Sequence, residues 1–294
     1  MNQQTKAYTF ALGAVALWST VATAFKIALS ETDVYQLLFY SNLTAFLVLG
    51  VIFLLERKTA ELKTLNAKAF GMSALRGFLN PFLYYLILFE AYDILPAQEA
   101  MSLNYIWPIV LVLLAVPFLK QKINLYGFLG IIISFLGVII IATKGNPLAL
   151  EFGNLRGDIL AFSSSIVWAL FWLSNMKSKE SETTKLLLSF GFGLVYSLPV
   201  MLLKSGFTLP SLSSSFALIY VGIAEMGLTF YLWLNALKYS ERADQVSRLV
   251  YLSPFLSLII IAVVLQEKIG ISTLVGLVLI IVGILVKDKK HNNT

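Results

Sequence analysis

Residues 96–118 read PAQEAMSLNYIWPIVLVLLAVPF, an apolar segment long enough to cross a bilayer as a helix. A helix does not need polar or helix-breaking groups merely to cross lipid, yet four lie in the middle of this one. They are the amide of Asn104, the phenol of Tyr105, the indole of Trp107 and the ring of Pro108. A second segment, 242–264, carries Tyr251 and Pro254 at matching places. We therefore interpret the chain as two halves, each built around one of these segments.

The composition is that of a membrane protein. Of the 294 residues, 58% are hydrophobic and 13% are charged, whereas a soluble domain has about 45–50% apolar and about 25% charged residues. Cysteine is absent, and the single histidine, His291, lies in a polar tail, so we expect no disulfide, no metal site and no cofactor. The net charge of +6 is typical of basic cytoplasmic loops, and we expect no nucleic-acid partner.

Ten apolar segments approach the roughly 20 residues that a spanning helix requires. The connections between them are short, so no soluble domain fits between two spans. We predict an all-α membrane protein with ten transmembrane helices in contact with the lipid bilayer. The predicted spans are 8–29, 35–55, 69–89, 96–118, 124–143, 157–175, 185–203, 213–235, 243–265 and 271–287.

The basic residues of the loops predict the orientation of these spans. With the N-terminus in the cytoplasm, fifteen lysines and arginines fall in inside segments and five in outside segments. Cytoplasmic loops carry the excess of Lys and Arg, so the N-terminus is predicted to be cytoplasmic. An even number of spans then brings the C-terminus to the same side.

The two halves share one register. When the chain is shifted by 146 positions, Tyr105 meets Tyr251 and Pro108 meets Pro254 without a gap. Other uncommon residues keep the same register, with Lys122 on Lys268, Gly130 on Gly276 and Gly137 on Gly283. A common origin of the halves explains such a register over roughly fifty positions better than chance does.

Each half contains five predicted spans. Because five is odd, the second copy enters the membrane upside down, and we predict two inverted repeats, at 1–147 and 148–294. Inverted repeats are typical of secondary transporters, whose substrate site lies between the repeats near the bilayer midplane.

The two matched prolines are candidate flex points. Pro108 and Pro254 each follow a tyrosine by three residues, and each removes a helical hydrogen bond. In lipid the freed carbonyl needs another partner, so such kinks face protein or a wet cavity. One proline of this kind is commonly a packing kink, but two at matching positions favour a shared gate.

Aromatic residues near the bilayer centre indicate a cavity. Tyrosine and tryptophan ordinarily prefer the membrane interfaces, and away from water their polar groups need a partner. A cavity that binds an amphipathic or aromatic solute supplies one to Asn104, Tyr105 and Trp107. Trp18, Trp168 and Trp172 are candidates for the same wall. For any single tryptophan the alternative is a place in the interface belt or in ordinary packing.

Glu99, Glu225 and Arg248 are ionisable residues inside predicted spans. An isolated charge at the bilayer centre costs at least about 2.5–3.5 kcal/mol, so such residues are functional candidates. Glu225 and Arg248 could pair with each other across a short hairpin or could contact the substrate. A site with both signs suits a zwitterion such as an amino acid, whereas a carboxylate in a wet path suits a proton relay.

The fifth and tenth spans contain almost only Ile, Leu, Val and Gly. Small residues let helices pack closely, so we assign these spans to the scaffold or to a homodimer contact, outside the solute path. The sequence has no Walker GxxxxGK[ST] motif and no GxSxG elbow. We therefore expect neither ATP hydrolysis nor enzyme activity.

Ten spans in two inverted halves resemble the EamA group of the drug/metabolite transporter superfamily, over almost the whole chain. The segments 17–20 (LWST) and 167–169 (VWA) and the glycine-rich fifth and tenth spans fit the group's usual pattern. The block 99–108 is similar to a segment of the group's aromatic amino acid exporters, whereas Glu225 and the stretch 244–248 depart from the pattern. The resemblance implies a central cavity lined by the first, third, fourth, sixth, eighth and ninth helices. On this chain it would include Trp18, Asn80, Tyr84, Glu99, Asn104, Tyr105, Trp107, Trp168, Tyr251 and Pro254.

We expect an exporter of small amphipathic metabolites in a bacterial inner membrane, with amino acids, and aromatic ones among them, as the first candidates. Alternating access would move the two halves about the central cavity. The nearest alternative is an exporter of another solute class, such as nucleobases, drugs or other metabolites. A membrane-embedded lipid-handling protein is more distant, because the sequence shows no cluster of catalytic groups at an interface.

Overall fold

Helices make up the regular structure of the chain. A computed structural model describes residues 2–120, 123, 125–146, 153–175, 180–240, 246 and 249–286. No strand occurs among these residues, which confirms the all-helical prediction.

Among the described residues, eight helices are long and apolar enough to cross a membrane, and two shorter apolar helices follow them. Each of the ten overlaps one predicted segment, but the last two as described are shorter than the roughly 20 residues of a spanning helix, so ten spans remain a prediction. A one-turn helix, Thr59–Lys63, also lies in the loop after the second of them. In chain order the ten are α1 (Gln3–Leu29), α2 (Val34–Leu55), α3 (Ala67–Ile94), α4 (Ala97–Phe118), α5 (Leu125–Ala142), α6 (Leu155–Asn175), α7 (Glu182–Lys204), α8 (Ser214–Tyr239), α9 (Leu249–Val264) and α10 (Ile271–Leu285).

Several helix starts follow from local sequence. A helix leaves its first backbone N–H groups without partners, and a side-chain oxygen just before the helix can accept from them. Such caps stand before α1, α2, α3 and α7, where the side chains of Asn2, Asp33, Asn66 and Ser181 accept from first-turn amides.

The third helix of each half contains a wider, π-helical turn. It spans Phe78–Leu83 in α3 and Gly222–Gly227 in α8. Under the 146-residue shift the two turns begin within two positions of each other. Turns of this kind are often found at functional sites.

The fourth helix of each half is broken beside its proline. In α4 a turn at Tyr105 separates two helical segments, and in α9 a short 3₁₀ turn comes before the second segment. Pro108 and Pro254 each lie in the first turn of that second segment. A proline there removes no helical hydrogen bond, because first-turn amides have no partner within the helix.

Helix packing follows an exchange pattern between the halves. The pair α1–α8 has its counterpart in α6–α3, and the pair α1–α9 has its counterpart in α6–α4. The pair α2–α8 likewise has its counterpart in α7–α3, and the contacts α2–α7 and α5–α10 each join one helix to its own counterpart. These larger contacts are therefore unchanged when first-half and second-half helices are swapped.

The α5–α10 contact depends on glycine. A Cβ atom on Gly130 would lie 2.4 Å from the carbonyl oxygen of Gly283, and one on Gly137 would lie 2.5 Å from that of Gly276. Between these crossings the Ser134 hydroxyl donates a 3.1 Å hydrogen bond to the carbonyl oxygen of Ile280 on α10, its partner under the 146-residue shift. The small-residue faces of both helices are thus occupied within one chain.

The outer surface of the bundle is apolar. Exposed aliphatic and aromatic side chains lie on helix after helix, as expected for surfaces that contact lipid tails rather than water. Examples are Leu47, Val51, Leu54, Phe128, Leu136, Val195, Phe216, Ile259, Val263 and Val278.

Candidate functional site

A central cavity of about 100 Å³ lies among α1, α3, α4, α6, α8 and α9. These are the six helices that the resemblance implies. The volume is several times the roughly 10–15 Å³ that one enclosed water needs on the same measure. All five tryptophans of the chain reach its wall, together with tyrosines and a few small polar groups. The tryptophans are Trp18, Trp107, Trp168, Trp172 and Trp233.

Trp168 is the centre of the aromatic wall. Its ring centroid lies 4.6 Å from that of Tyr84, 5.9 Å from that of Trp172 and 6.5 Å from that of Trp107. Trp18 and Trp233, from α1 and α8, form a tilted pair with centroids 5.4 Å apart. These separations lie in the favourable range for aromatic pairs, so the rings hold one another in place.

Polar groups of the wall are oriented by hydrogen bonds to neighbouring helices. Asn104 donates from Nδ2 to Ser164 at 2.8 Å, and its Oδ1 accepts from the Tyr84 hydroxyl at 3.4 Å. Tyr105 and Ser253 hydrogen-bond through their hydroxyls, which joins α4 to α9. The break in each of these helices brings such groups to the cavity.

Glu225 is the acidic residue of this wall. It lies in the π turn of α8 and only 6% of its surface is exposed. Oε1 accepts a 3.0 Å hydrogen bond from the Tyr85 hydroxyl, and the Trp18 side chain also approaches the carboxylate. Oε2 has no hydrogen-bond partner among the described residues.

The structure separates the predicted substrate-contact residues into two groups. Tyr251 packs against the hydrophobic core, and Asn80 is buried in the π turn of α3. Glu99 lies in the first turn of α4, with Oε1 3.9 Å from Lys144 Nζ. Arg248 is outside the described residues. Those on the cavity wall are Trp18, Tyr84, Asn104, Tyr105, Trp107, Trp168 and Glu225.

Trp172, which the sequence already indicated as a wall candidate, also lies on the cavity wall, whereas Trp233 was missed. Trp233 follows Glu225 by eight residues, so the two share one helix face. The spacing from Glu225, which was already a candidate, could have indicated that Trp233 lines the cavity. Tyr85, which positions Glu225, carried no comparable signal, because its partner is remote in sequence.

A larger polar vestibule of about 660 Å³ adjoins the central cavity, and Trp172 lines both. Its charged wall includes Glu56, Lys58, Glu182 and Lys185. Burial on its own raises the pKa of Glu56, but hydrogen bonds from Lys58 and a threonine outweigh it, so this pKa lies below its ordinary value. The vestibule therefore offers ionised groups to a solute before the aromatic cavity is reached.

The opposite end of the bundle is bridged by a set of contacts that we call the outer latch, formed by Lys26, Gln98 and Glu267. Glu267, in the loop between α9 and α10, accepts from the backbone N–H groups of Ala97 at 3.0 Å and of Gln98 at 3.4 Å. Gln98 Nε2 donates to the Lys268 carbonyl at 2.9 Å, and its Oε1 accepts from a loop amide at 2.8 Å.

Lys26 completes the latch from α1. Its Nζ donates to the carbonyls of Tyr92 at 2.7 Å and of Leu95 at 3.1 Å, at the C-terminal end of α3. A cation at a helix C-terminus and an anion at a helix N-terminus are both favourable. The turn between α3 and α4 is thus held by opposite charges from two other parts of the bundle.

Comparison with known proteins gives consistent matches. The model of the EamA-like transporter family matches residues 5–143 and 155–286. An uncharacterized transporter of Archaeoglobus fulgidus is 26% identical over 94% of this chain and 95% of its own length. An uncharacterized transporter of Clostridium kluyveri is 26% identical over 98% of this chain and 96% of its own length.

Two further matches are more distant. The aromatic amino acid exporter YddG of Ancylobacter novellus is 23% identical over 85% of both chains. Among solved structures, a crystal structure of a protein with 20% identity superposes on 96% of both chains with a TM-score of 0.65, which supports the fold alone.

Proposed function

The chain belongs to the EamA-like transporter family, and we propose that it exports small amphipathic metabolites, with aromatic amino acids as the first candidates. It is a multi-pass membrane protein, and a bacterial inner membrane fits the bacterial transporters among its relatives. The named relatives are transporters rather than enzymes.

The observation that carries the proposal is the composition of the central cavity. Its wall combines five indoles with a small number of oriented polar groups, Asn104, Tyr105, Ser253 and Glu225. Ligand sites of this kind bury the apolar body of a solute and fix its orientation through few polar contacts. An amphipathic solute with an aromatic ring fits that division. The name of the Ancylobacter relative supports the same solute class.

The proposed topology has ten spans in two inverted repeats, 1–147 and 148–294, with both termini in the cytoplasm. Three observations support it: the 146-residue register, the exchange pattern of helix packing and the loop charges. Under the register, the Gly130–Gly283 contact maps onto the Gly276–Gly137 contact. A homodimer would use the outer faces of α5 and α10, since their glycine faces pack together.

The described conformation corresponds to an inward-open state in this proposal. The vestibule lies at the end of the bundle that carries Lys58 and Lys238, which the charge rule assigns to the cytoplasm. The outer latch holds the other end. Export requires the latch to open and the vestibule end to close, with the breaks beside Pro108 and Pro254 as flex points.

The test is an efflux assay with the purified full-length chain in proteoliposomes. Vesicles are loaded with aromatic amino acids, polar amino acids or nucleobases, with and without a pH gradient. We expect saturable efflux of the aromatic amino acids. Saturable efflux of nucleobases alone would replace the solute class, and no efflux of any solute would contradict the proposed function.

A substitution in the wall locates the path. Trp107→Ala removes an indole from the cavity, and loss of a buried aromatic contact of about 1.5–3 kcal/mol predicts at least a tenfold lower transport efficiency. Phe128→Ala is the matched control, because Phe128 lies on α5 with 55% of its surface exposed. Equal efflux by Trp107→Ala and wild type would exclude the cavity as the path.

A further inference from the structure

Glu225 has an unusual place for a carboxylate. It is buried at the cavity wall, its Oε1 accepts from Tyr85, and its Oε2 has no hydrogen-bond partner among the described residues. No lysine, arginine or histidine from the described part of the chain lines this cavity. Lys26, the cation of the outer latch, is bound to backbone carbonyls at the C-terminal end of α3.

A buried carboxylate needs more than neutral hydrogen bonds. Removing a charge from water without pairing is strongly unfavourable, so buried charges are paired or bind ions. Tyr85 and the Trp18 indole are both neutral donors, and Oε2 has no hydrogen-bond partner among the described residues. An ammonium group supplies up to three donors and the opposite charge. Glu225 is therefore complementary to a cationic group that enters the cavity.

The aromatic wall favours the same kind of group. The faces of tryptophan rings attract cations within about 6 Å, and a site with little water strengthens the attraction. Trp18 lies beside the Glu225 carboxylate and pairs with Trp233 at 5.4 Å. Trp168 and Trp107, from α6 and α4, offer ring faces and edges to an apolar group. The cavity thus combines a carboxylate that suits a cationic group with aromatic rings that suit an apolar one.

We propose that Glu225 binds the ammonium group of the solute and that the recognised class is primary amines with an aromatic ring, whether or not they carry a carboxylate. This inference rests on the proposed function and narrows it. Aromatic acids without an amine, and neutral nucleobases, lack the group that Glu225 would bind. The α-carboxylate of an amino acid is then directed away from Glu225.

The test measures binding to the purified full-length chain by its own tryptophan fluorescence, since all five tryptophans line the cavity. The probes are phenethylamine, which has an ammonium and no carboxylate, and 3-phenylpropanoate, which has a carboxylate and no ammonium. Phenyl rings do not absorb at the red edge of tryptophan excitation, so neither probe interferes. We expect phenethylamine to bind at least tenfold more tightly, the scale of one hydrogen bond to a charged group.

Three variants assign the preference to this carboxylate. Glu225→Gln should reduce phenethylamine affinity at least tenfold and leave 3-phenylpropanoate affinity unchanged or higher. Tyr85→Phe keeps the charge and should weaken phenethylamine binding by a smaller factor. Glu90→Gln is the matched control, because Glu90 bonds Arg156 at the outer surface, and we expect wild-type affinities from it.

Equal affinities of the two probes for the wild-type chain, or tighter binding of 3-phenylpropanoate, would overturn the inference. So would an unchanged preference in Glu225→Gln, which would indicate that another feature of the wall, such as the tryptophan ring faces, governs the preference for a cation. The wild-type comparison decides the matter even if a variant does not fold. Efflux of aromatic amino acids without the amine preference would overturn this inference alone, whereas absence of all efflux would overturn the proposed function.

Discussion

Removing the carboxylate of Glu267 should open the outer end of the cavity. This side chain accepts from two backbone N–H groups at the start of α4, at 3.0 and 3.4 Å. Loss of a side-chain cap costs a helix start about 0.5–2 kcal/mol. The remaining latch contacts of Gln98 and Lys26 stay in place, so we take the middle of that range. About 1.4 kcal/mol corresponds to a tenfold change in the equilibrium between the conformation with the latch closed and the one with the latch open.

The chain suits a thiol-labelling assay, because it has no cysteine of its own. Ala22→Cys places a small thiol on the cavity wall, at a residue that is now only 3% exposed. A membrane-impermeant maleimide added to intact cells then reports opening of the outer end. We expect Glu267→Ala in this background to label about tenfold faster.

Two further variants test whether the latch holds the outer end of the cavity closed. Glu90→Ala removes a carboxylate at the same end without touching the latch and should leave the labelling rate unchanged. Gln98→Ala removes two other hydrogen bonds across the latch and should accelerate labelling independently. If Glu267→Ala labels no faster than the Ala22→Cys parent, or no faster than the Glu90 control, the latch does not hold the outer end closed.

Two further predictions concern stability. Gly137→Val should lower the thermal unfolding temperature by several degrees, because its Cβ would lie 2.5 Å from the Gly276 carbonyl oxygen, whereas Gly71→Val has open space and should change it little. Glu61→Gln should destabilise the chain by about 1 kcal/mol at neutral pH: burial raises the pKa of Glu61, but hydrogen bonds from Thr184 and a serine outweigh it and hold the pKa below 4.5. A group whose pKa is lower in the folded than in the unfolded state stabilises the fold above the unfolded-state pKa, and this stabilisation is lost as pH falls through the folded-state pKa. The difference in unfolding free energy between Glu61→Gln and wild type should therefore vanish well below pH 4.5. A difference that persists there would contradict this account.

The sequence was sufficient to locate the apolar helices, because eight of the described ones are long enough to cross a bilayer and turn residues end them. It was less informative about interruptions within helices. Pro108 and Pro254 indicated where α4 and α9 are broken, because a proline constrains the backbone of the turn in which it lies. The π turn at Gly222–Gly227 contains no proline, and no local pattern distinguishes it from a regular helix with glycines.

The candidate site shows a similar division. Tryptophans near mid-bilayer were predictable as wall residues, because few other places suit an indole in lipid. Glu99 was singled out as a charge within a span, yet its neighbour Gln98 makes the contacts across the outer latch. Adjacent residues on a helix point about 100° apart, and which of them meets Glu267 depends on how α9 and α10 pack. This packing belongs to the tertiary structure, and the local sequence around Gln98 does not determine it.

The shared register also explains where the two halves must differ. Positions that set backbone shape are kept, as Pro108 with Pro254 and the paired glycines show. Some positions on the cavity wall are not kept, although the wall residue Tyr105 corresponds to Tyr251: Asn104 corresponds to Val250 and Trp107 to Ser253. A two-fold symmetric cavity would present the same groups to both ends of a solute, but the proposed aromatic amine has one apolar end and one charged end. Selection for such a solute would act on the wall positions that differ, while the positions that set backbone shape stay matched.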